Sequence, residues 1–427
     1  MQTNVIKQYK IFLKKHRIVK EREQEENKML QGKTVLLGVT GGIAAYKMPN
    51  VARMLKKMHC NVHVLMTQNA TNFITATTFE TLTGNKCLID TFDRNFEFSV
   101  EHVALAKQAD LVLLAPATAN VIGKIANGIA DDMLTTTVMA CTCKVLVAPA
   151  MNHNMYHNSI VQENLEKLKR HGYEMIDPVC GMLANGDTGD GKLPSEETLV
   201  EYVLRELAFE KDMQGLKVLV TAGPTQEAID PVRFISNHST GKMGYAIAKN
   251  AMLRGAEVTL VTGRTALEPP MFVKTVPVTS AKDMYQAVME CAKEQDIIVK
   301  AAAVADYTPA HTADEKIKKS EGELSLALEK TTDILAELGK NKGNTVLCGF
   351  SMETEHMLEN SRAKRKKKNL DMIAANNLKQ QGAGFAGDTN VLTLITEDWE
   401  KELALMSKDE AAKCLLDELL KIKKNKK

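Results

Sequence analysis

A short apolar strand that runs into a glycine loop and then a helix occurs twice in this chain, and its second occurrence restarts the whole pattern. The first is Leu30-Gln-Gly-Lys-Thr-Val-Leu-Leu-Gly-Val-Thr-Gly-Gly42, followed by a helix-forming stretch over 43–58. The second is Leu216-Lys-Val-Leu-Val-Thr-Ala-Gly-Pro224, followed after a polar stretch by a helix over 241–254. That helix stops at Gly255, where glycine takes a left-handed C′ conformation at least cost. Further strands fit at 62–66, 109–115 and 144–148, and later at 257–261, 296–301, 345–350, 371–375 and 391–395. Buried-type strands alternating with amphipathic helices must pair in parallel, because each helix carries the chain back across the sheet. The chain is therefore α/β, with two Rossmann-like three-layer domains of mainly parallel sheet. A closing helix over 195–210 and the polar hinge Lys211-Asp-Met-Gln-Gly215 place the division near residue 212. The expected domains are a charged extension (1–30), a first domain (31–211) and a second (212–427).

Charge and composition exclude several classes. Lys plus Arg number 55 against 53 Asp plus Glu, a formal charge of +2. The first 28 residues alone carry eight basic and four acidic side chains. A dedicated nucleic-acid binder would show a basic excess. No apolar run reaches the roughly 18 residues of a membrane span, and no secretory leader is legible. The eight cysteines form no C-x-x-C pair, so they read as reduced thiols in a cytoplasmic protein.

The glycines at 38–42 precede a helix, where backbone N–H groups can cradle one phosphate. The segment is neither G-x-G-x-x-G nor a Walker loop. Gly186-Asp-Thr-Gly-Asp-Gly-Lys192 has Walker spacing, but Leu193 replaces the metal-binding hydroxyl and no strand is predicted before it. The loop offers one phosphate cradle, and no adenine half-site is legible beside it. His153 and His157 share a helix face at i, i+4, a spacing suited to a metal, but the sequence offers no evident third ligand.

Gly-Val-Thr-Gly-Gly-Ile-Ala-Ala-Tyr-Lys at 38–47, Ala115-Pro-Ala-Thr-Ala-Asn120 and Pro149-Ala-Met-Asn152 resemble, in order and spacing, the signatures of flavin-dependent cysteine decarboxylases. The resemblance spans 30–205 and implies a flavodoxin-like domain holding FMN. It implies flavin contacts from Gly41, Gly42, Ala44, Thr67, Thr118 and Asn120, and a substrate carboxylate held by Asn152 and Met155. His102 falls at the family's catalytic histidine. A histidine's ordinary pKa near 6.5 suits proton transfer at neutrality. A flavin is needed because a cysteine side chain offers no sink for the electrons that CO2 leaves behind; oxidation at the carbon bearing sulfur creates one. The family's acid is the cysteine of Leu-Ala-Cys-Gly, and here Asn185 holds that place. An amide has no proton to give near neutrality. The resemblance thus leaves two readings: full conversion, or a first domain that stops at the enethiol or only binds flavin. Cys180 is the other thiol in that loop.

The second half carries Thr221-Ala-Gly-Pro-Thr-Gln-Glu-Ala-Ile-Asp-Pro-Val-Arg233, Ile235-Ser-Asn-His-Ser-Thr-Gly-Lys-Met-Gly244, Ala301-Ala-Ala-Val-Ala-Asp-Tyr307, Glu315-Lys-Ile-Lys-Lys319 and the Lys364/Lys368/Asp371/Asn376 set. Together these resemble the phosphopantothenate–cysteine ligases. The fusion is the arrangement of the bacterial bifunctional coenzyme A biosynthesis family. The resemblance implies 4′-phosphopantothenate, L-cysteine and CTP as substrates, with an acyl-cytidylate and Mg2+ held mainly through the phosphates. It assigns Lys316 to charge stabilisation and Asn237 to the acyl intermediate. Gly241, Lys242 and Gly244 would meet phosphate, Asp306 and Phe350 the base, Lys364 and Lys368 the triphosphate, and Ala302 the substrate or nucleotide. It also implies homo-oligomers, trimer-based in the flavin domain and dimeric in the ligase. Arg365, Lys366 and Lys367 read as solvated.

Overall fold

The computed structural model describes residues 28–92, 101–182, 186, 188–318, 324–353, 356–377 and 387–426. Contacts divide the chain into two compact units between Phe209 and Glu210. Leu30 is fully buried and donates its N–H to the Met58 carbonyl (3.1 Å). It belongs to the first unit's core, not to a solvated extension; most of that extension, 1–27, lies outside the described residues.

The first unit runs β1 (Thr34–Val39), α1 (Met48–Lys57), β2 (Asn61–Met66), α2 (Ala76–Thr83), α3 (Glu101–Gln108), β3 (Leu111–Ala117), α4 (Ala119–Ala126), α5 (Met133–Ala140), β4 (Lys144–Pro149), α6 (His153–Tyr156), α7 (Ser159–Arg170), β5 (Glu174–Met175), β6 (Val179–Met182), β7 (Thr188–Lys192) and α8 (Glu196–Leu207). Its sheet has the order β2-β1-β3-β4-β5 and is parallel throughout. This is the flavodoxin-like order, whose switch point lies between β1 and β3. Every residue of β1 is buried, as a strand with helices on both faces requires. The stretch expected as one helix over 43–58 divides into a 3-10 turn, Ile43–Lys47, and then α1. Pro49 explains the division: it lacks an N–H, so it fits a helix's first turn and not its interior. Residues 188–192, the Walker-spaced segment, form half of the antiparallel β6–β7 hairpin rather than a loop entering a helix.

The second unit runs β8 (Lys217–Ala222), β9 (Gln226–Ala228), β10 (Phe234–Ser236), α9 (Lys242–Leu253), β11 (Glu257–Thr262), β12 (Lys274–Pro277), α10 (Ala281–Cys291), β13 (Ile297–Lys300), β14 (Tyr307–Pro309), β15 (Leu328–Lys330), α11 (Ile334–Lys340), β16 (Val346–Glu353), α12 (Met357–Lys367), β17 (Met372–Asn377), β18 (Thr389–Asn390), β19 (Leu392–Ile395), β20 (Glu400–Glu402), β21 (Met406–Ser407) and α13 (Lys408–Asn425). The main sheet has the order β12-β11-β8-β13-β16-β17-β19-β20. Its first six strands are parallel, and β19 and β20 continue it antiparallel. The first strand, β8, lies between β11 and β13, so the connections diverge there and open a crevice at the strands' C-terminal ends.

α13 closes this unit. It packs on α9 and buries Ala411, Ala412, Leu415, Leu416 and Leu419. Ion pairs fasten it at its middle and at its C-terminal end: Arg254 (5% exposed) joins Asp212 (2.6 Å) and Asp417 (2.7 Å), while Lys423 meets Asp296 (2.9 Å) and Lys426 meets Asp371 (2.7 Å). Among the described residues no helix is long and apolar enough to cross a membrane.

Candidate functional sites

In the first unit the loops after β1, β2 and β3 converge at the switch point. Thr40 is buried; its Oγ1 donates to the Pro116 carbonyl (2.6 Å) and accepts from the Thr118 N–H (3.1 Å). The Thr67 N–H donates to the Val39 carbonyl (3.1 Å). Gly41 lies so close to the next loop that a Cβ there would stand 2.6 Å from the Asn69 Cβ. These contacts gather Gly41, Gly42, Thr67 and Thr118 at one crevice, with Ala44 and Asn120 on the turn and helix that leave it.

The crevice suits a phosphate-bearing group. Thr67 Oγ1 is buried without a hydrogen-bond partner. Thr118, the N-cap of the eight-residue α4, makes no side-chain cap, so it leaves the helix's first N–H groups to another acceptor.

Asn152 follows β4 and caps α6, its Oδ1 accepting from the Asn154 N–H (2.9 Å). That bond engages the side-chain oxygen and leaves the amide NH2 group as a donor. Met155, on the same short helix, is exposed (49%). The hairpin lies against this segment through the Met151 N–H and the Gly191 carbonyl (3.0 Å). His102 is half-buried on α3 and forms no hydrogen bond with the crevice residues. Asn185 lies outside the described residues; Cys180 is exposed on β6.

In the second unit a cavity of about 760 Å³ opens at the crevice beside β8. Nine of the ten residues expected of a ligase line it: Asn237, Gly241, Lys242, Gly244, Ala302, Asp306, Phe350, Lys364 and Lys368. Gly244 allows α9 to start directly over β8, since a Cβ would stand 2.6 Å from the Ala222 Cβ. Asn237 donates to the Ala303 carbonyl (3.1 Å), and the Ala302 N–H donates to Thr221 Oγ1 (3.1 Å). Lys316 is the exception. It is exposed and does not line the cavity. Its segment is tied to the β9–β10 turn: Ile317 donates its N–H to Asp230 (3.2 Å), and its carbonyl accepts from Arg233 (2.8 Å).

Several lining residues lie outside the motifs, and three polar ones are Lys300, Lys408 and Asn390. Lys300 ends β13 and pairs with no carboxylate among the described residues; burial, with Lys368 and Lys364 nearby, pushes its pKa down to about 8. Lys408 is likewise lowered to about 8, by burial and then Lys242. Asn390 completes the set. The signal for Lys300 was present: it is the one cation terminating an apolar strand at the end where ligands bind. Lys364 is also lowered, by burial and then by Lys368. Lys368 pairs with Asp333 (2.7 Å) and Lys242 with Asp388 (2.8 Å). Crowded cations with too few carboxylates describe a polyanion site. Asn376, 6% exposed with an unpartnered Oδ1, adds an acceptor at the same wall.

The chain thus holds two α/β units: a flavoprotein-type unit whose loops meet at its sheet's switch point, and a unit with a cation-lined cavity at its own. Residues 23–208 match the family described as Flavoprotein, and residues 213–422 match the C-terminal domain of DNA/pantothenate metabolism flavoproteins. The coenzyme A biosynthesis bifunctional protein CoaBC of Bacillus subtilis is 45% identical over 400 residues, covering 93% of this chain and 98% of that protein. The chain belongs to this family of bifunctional coenzyme A biosynthesis enzymes, a flavoprotein decarboxylase unit followed by a ligase unit. Solved structures match as well, among them these two. The C-terminal domain of a CoaBC protein is 41% identical (TM-score 0.45, 51% of this chain and all of that one). The FMN-dependent cysteine decarboxylase SpaF is 33% identical (TM-score 0.36, 41% and 99%).

Proposed function

We propose that the second unit joins 4′-phosphopantothenate to L-cysteine with CTP and Mg2+, and that the first decarboxylates the product with FMN to give 4′-phosphopantetheine. The observation that carries the ligase reading is the cavity beside β8, where Lys300, Lys364 and Lys368 crowd the wall facing Gly241–Gly244. Activating a carboxylate as an acyl-nucleotide builds negative charge on the α-phosphate and then on the carbonyl oxygen, and fixed cations and amide donors stabilise both. Lys364 and Lys368 take the triphosphate, Asp306 accepts from the exocyclic amine of cytosine and Phe350 stacks beside it. Asn237 steadies the acyl group. Lys316 stabilises the charge that builds on the α-phosphate. Mg2+ is held through the phosphates and water.

In the first unit the loop 41–44, Thr67, Thr118 and Asn120 hold FMN, which supplies the two-electron chemistry that gives the substrate an electron sink. Asn152 directs its NH2 group at the substrate carboxylate, Met155 covers the neighbouring atoms, and His102 moves a proton. Asn185 cannot supply the last proton. Cys180, the thiol on β6 of the same hairpin, is the donor proposed here. Family membership along both units supports full conversion over a first unit that only binds flavin. A cytoplasmic homo-oligomer, with trimer-based flavin units and dimeric ligase units, accompanies this reading. The test is a coupled incubation with 4′-phosphopantothenate, cysteine, Mg2+ and either CTP or ATP. CMP release with a product of the mass of 4′-phosphopantetheine is expected. Equal kcat/KM for ATP would refute the nucleotide assignment, and absence of the ligated intermediate would refute the ligase.

A further inference from the structure

The two histidines at i, i+4 acquire a third ligand from the hairpin. One imidazole nitrogen each from His153 and His157 and a carboxylate oxygen of Asp190 lie within 4.8 Å of one another. His157 Nε2 is already 3.2 Å from Asp190 Oδ2. Ligands about 2.1 Å from a tetrahedral ion stand roughly 3.4 Å apart, so one side of the triangle is formed and small rotamer changes close the rest.

The backbone is built to bring these groups together. Asp190 lies between two glycines, and both are needed where they stand. A Cβ on Gly189 would meet the His153 ring at 2.8 Å, and one on Gly191, whose φ is 121°, would collide with the Met151 carbonyl. Glycine on each side therefore lays the β7 backbone on the 151–153 segment and holds the Asp190 carboxylate over α6. Nδ1 of His153 is buried with no hydrogen-bond partner, and the ring sits edge-on to that of His157, with centroids 4.4 Å apart. The other polar contact of the cluster is His157 with Asp190 itself.

We infer that His153, His157 and Asp190 form a binding site for one divalent transition-metal ion, Zn2+ by preference, that staples α6 to β7. Two imidazoles and one carboxylate are borderline-to-hard ligands suited to Zn2+ or Co2+ rather than Mg2+ or Ca2+. Three protein ligands leave a fourth position to water. The site is distinct from the nucleotide Mg2+ proposed for the other unit, and it needs neither activity to be present.

The test is Zn2+ titration calorimetry on the full-length flavin-loaded protein, with Co2+ absorption beyond the flavin bands to report ligand type. One equivalent should bind at this site, with no thiolate-to-metal charge-transfer band. His157→Ala and Asp190→Asn should each weaken that binding by at least about 100-fold, more than loss of a mere supporting partner costs, while flavin content stays unchanged. Zn2+ should also slow amide exchange at 188–192 in the parent protein but not in Asp190→Asn. A thiolate band, equal affinity in both variants, or binding without protection of 188–192 would each overturn the inference. Asp190→Asn is nearly isosteric, so its retained flavin separates loss of the site from loss of the fold.

Discussion

Replacing Lys300 with methionine should make the ligase unit more stable, whereas most buried substitutions destabilise by about 1 kcal/mol. The lysine's pKa falls from its ordinary 10.5 to about 8 because burial and the Lys368 and Lys364 ammonium groups disfavour its charge. At about 1.4 kcal/mol per pKa unit, holding that charge at neutral pH costs the folded state about 3 kcal/mol. This is an upper value, since the side chain keeps some solvent contact. The unfolded chain binds more protons than the folded one between pH 8 and 10.5, so wild-type stability rises with pH across that window; below pH 8 the penalty is fully present. Methionine keeps most of the volume and removes the charge. The assay is urea denaturation followed by the fluorescence of Trp399, the chain's single tryptophan, which reports the second unit alone. At pH 7 the variant's midpoint should exceed wild type's; by pH 9.5 the gap should narrow. The same variant should bind CTP about 10- to 100-fold more weakly, the scale of a lost charge-assisted contact. Wild type should take up protons on binding CTP above pH 8, in part through Lys408 and Lys364, and Lys300→Met should take up fewer. A variant less stable than wild type at pH 7, with undiminished proton uptake, would refute the assignment of Lys300 as a cation held in place for a polyanion.

Lys316→Ala should lower CMP release by about 100-fold or more with flavin content unchanged; near-normal release would make Lys316 an ordinary surface lysine. Gly244→Ala should destabilise the second unit by about 1–3 kcal/mol through overpacking against Ala222, read as a lower Trp399 midpoint, and an unchanged midpoint would show that α9 shifts freely. Cys180→Ser should leave decarboxylation intact but yield a product two mass units lighter than 4′-phosphopantetheine, and the further change Asn185→Cys should restore the full mass. A full-mass product from Cys180→Ser alone would remove Cys180 as the donor.

The parallel cores were legible because short apolar strands alternate with helices, as at β3–α4 and α9–β11. The antiparallel edge β19–β20 was not, since strand direction depends on partners that an apolar run such as Leu392–Ile395 does not name. The 3-10 turn at Ile43–Lys47 was missed although Pro49 marked the helix start. In the nucleotide cavity the motifs located the glycine loop and the lysines of α12, yet Lys300 reaches that wall through strand order alone: β13 stands between β8 and β16. Asp190 joins His157 from 33 residues away because the hairpin register returns it, and no local spacing rule expresses that. Lys316 was recognised by motif, but motif order does not place its segment, which Asp230 and Arg233 tie to the β9–β10 turn away from the cavity lining.

The clasp that α13 forms on the second unit has a consequence for synthesis. Domains emerge from the ribosome N-terminal first, at roughly 5–20 residues per second. The flavoprotein unit can complete its sheet while the ligase unit is still being translated. The ligase unit cannot do the same: Arg254 waits for Asp417, Asp371 for Lys426, and the apolar face of α9 for Leu415, Leu416 and Leu419. The face of α9 that α13 covers must therefore stay open for more than 150 residues of elongation after α9 appears. A premature stop before α13 would leave a chain that still colours with flavin but has a ligase half prone to chaperone capture and proteolysis.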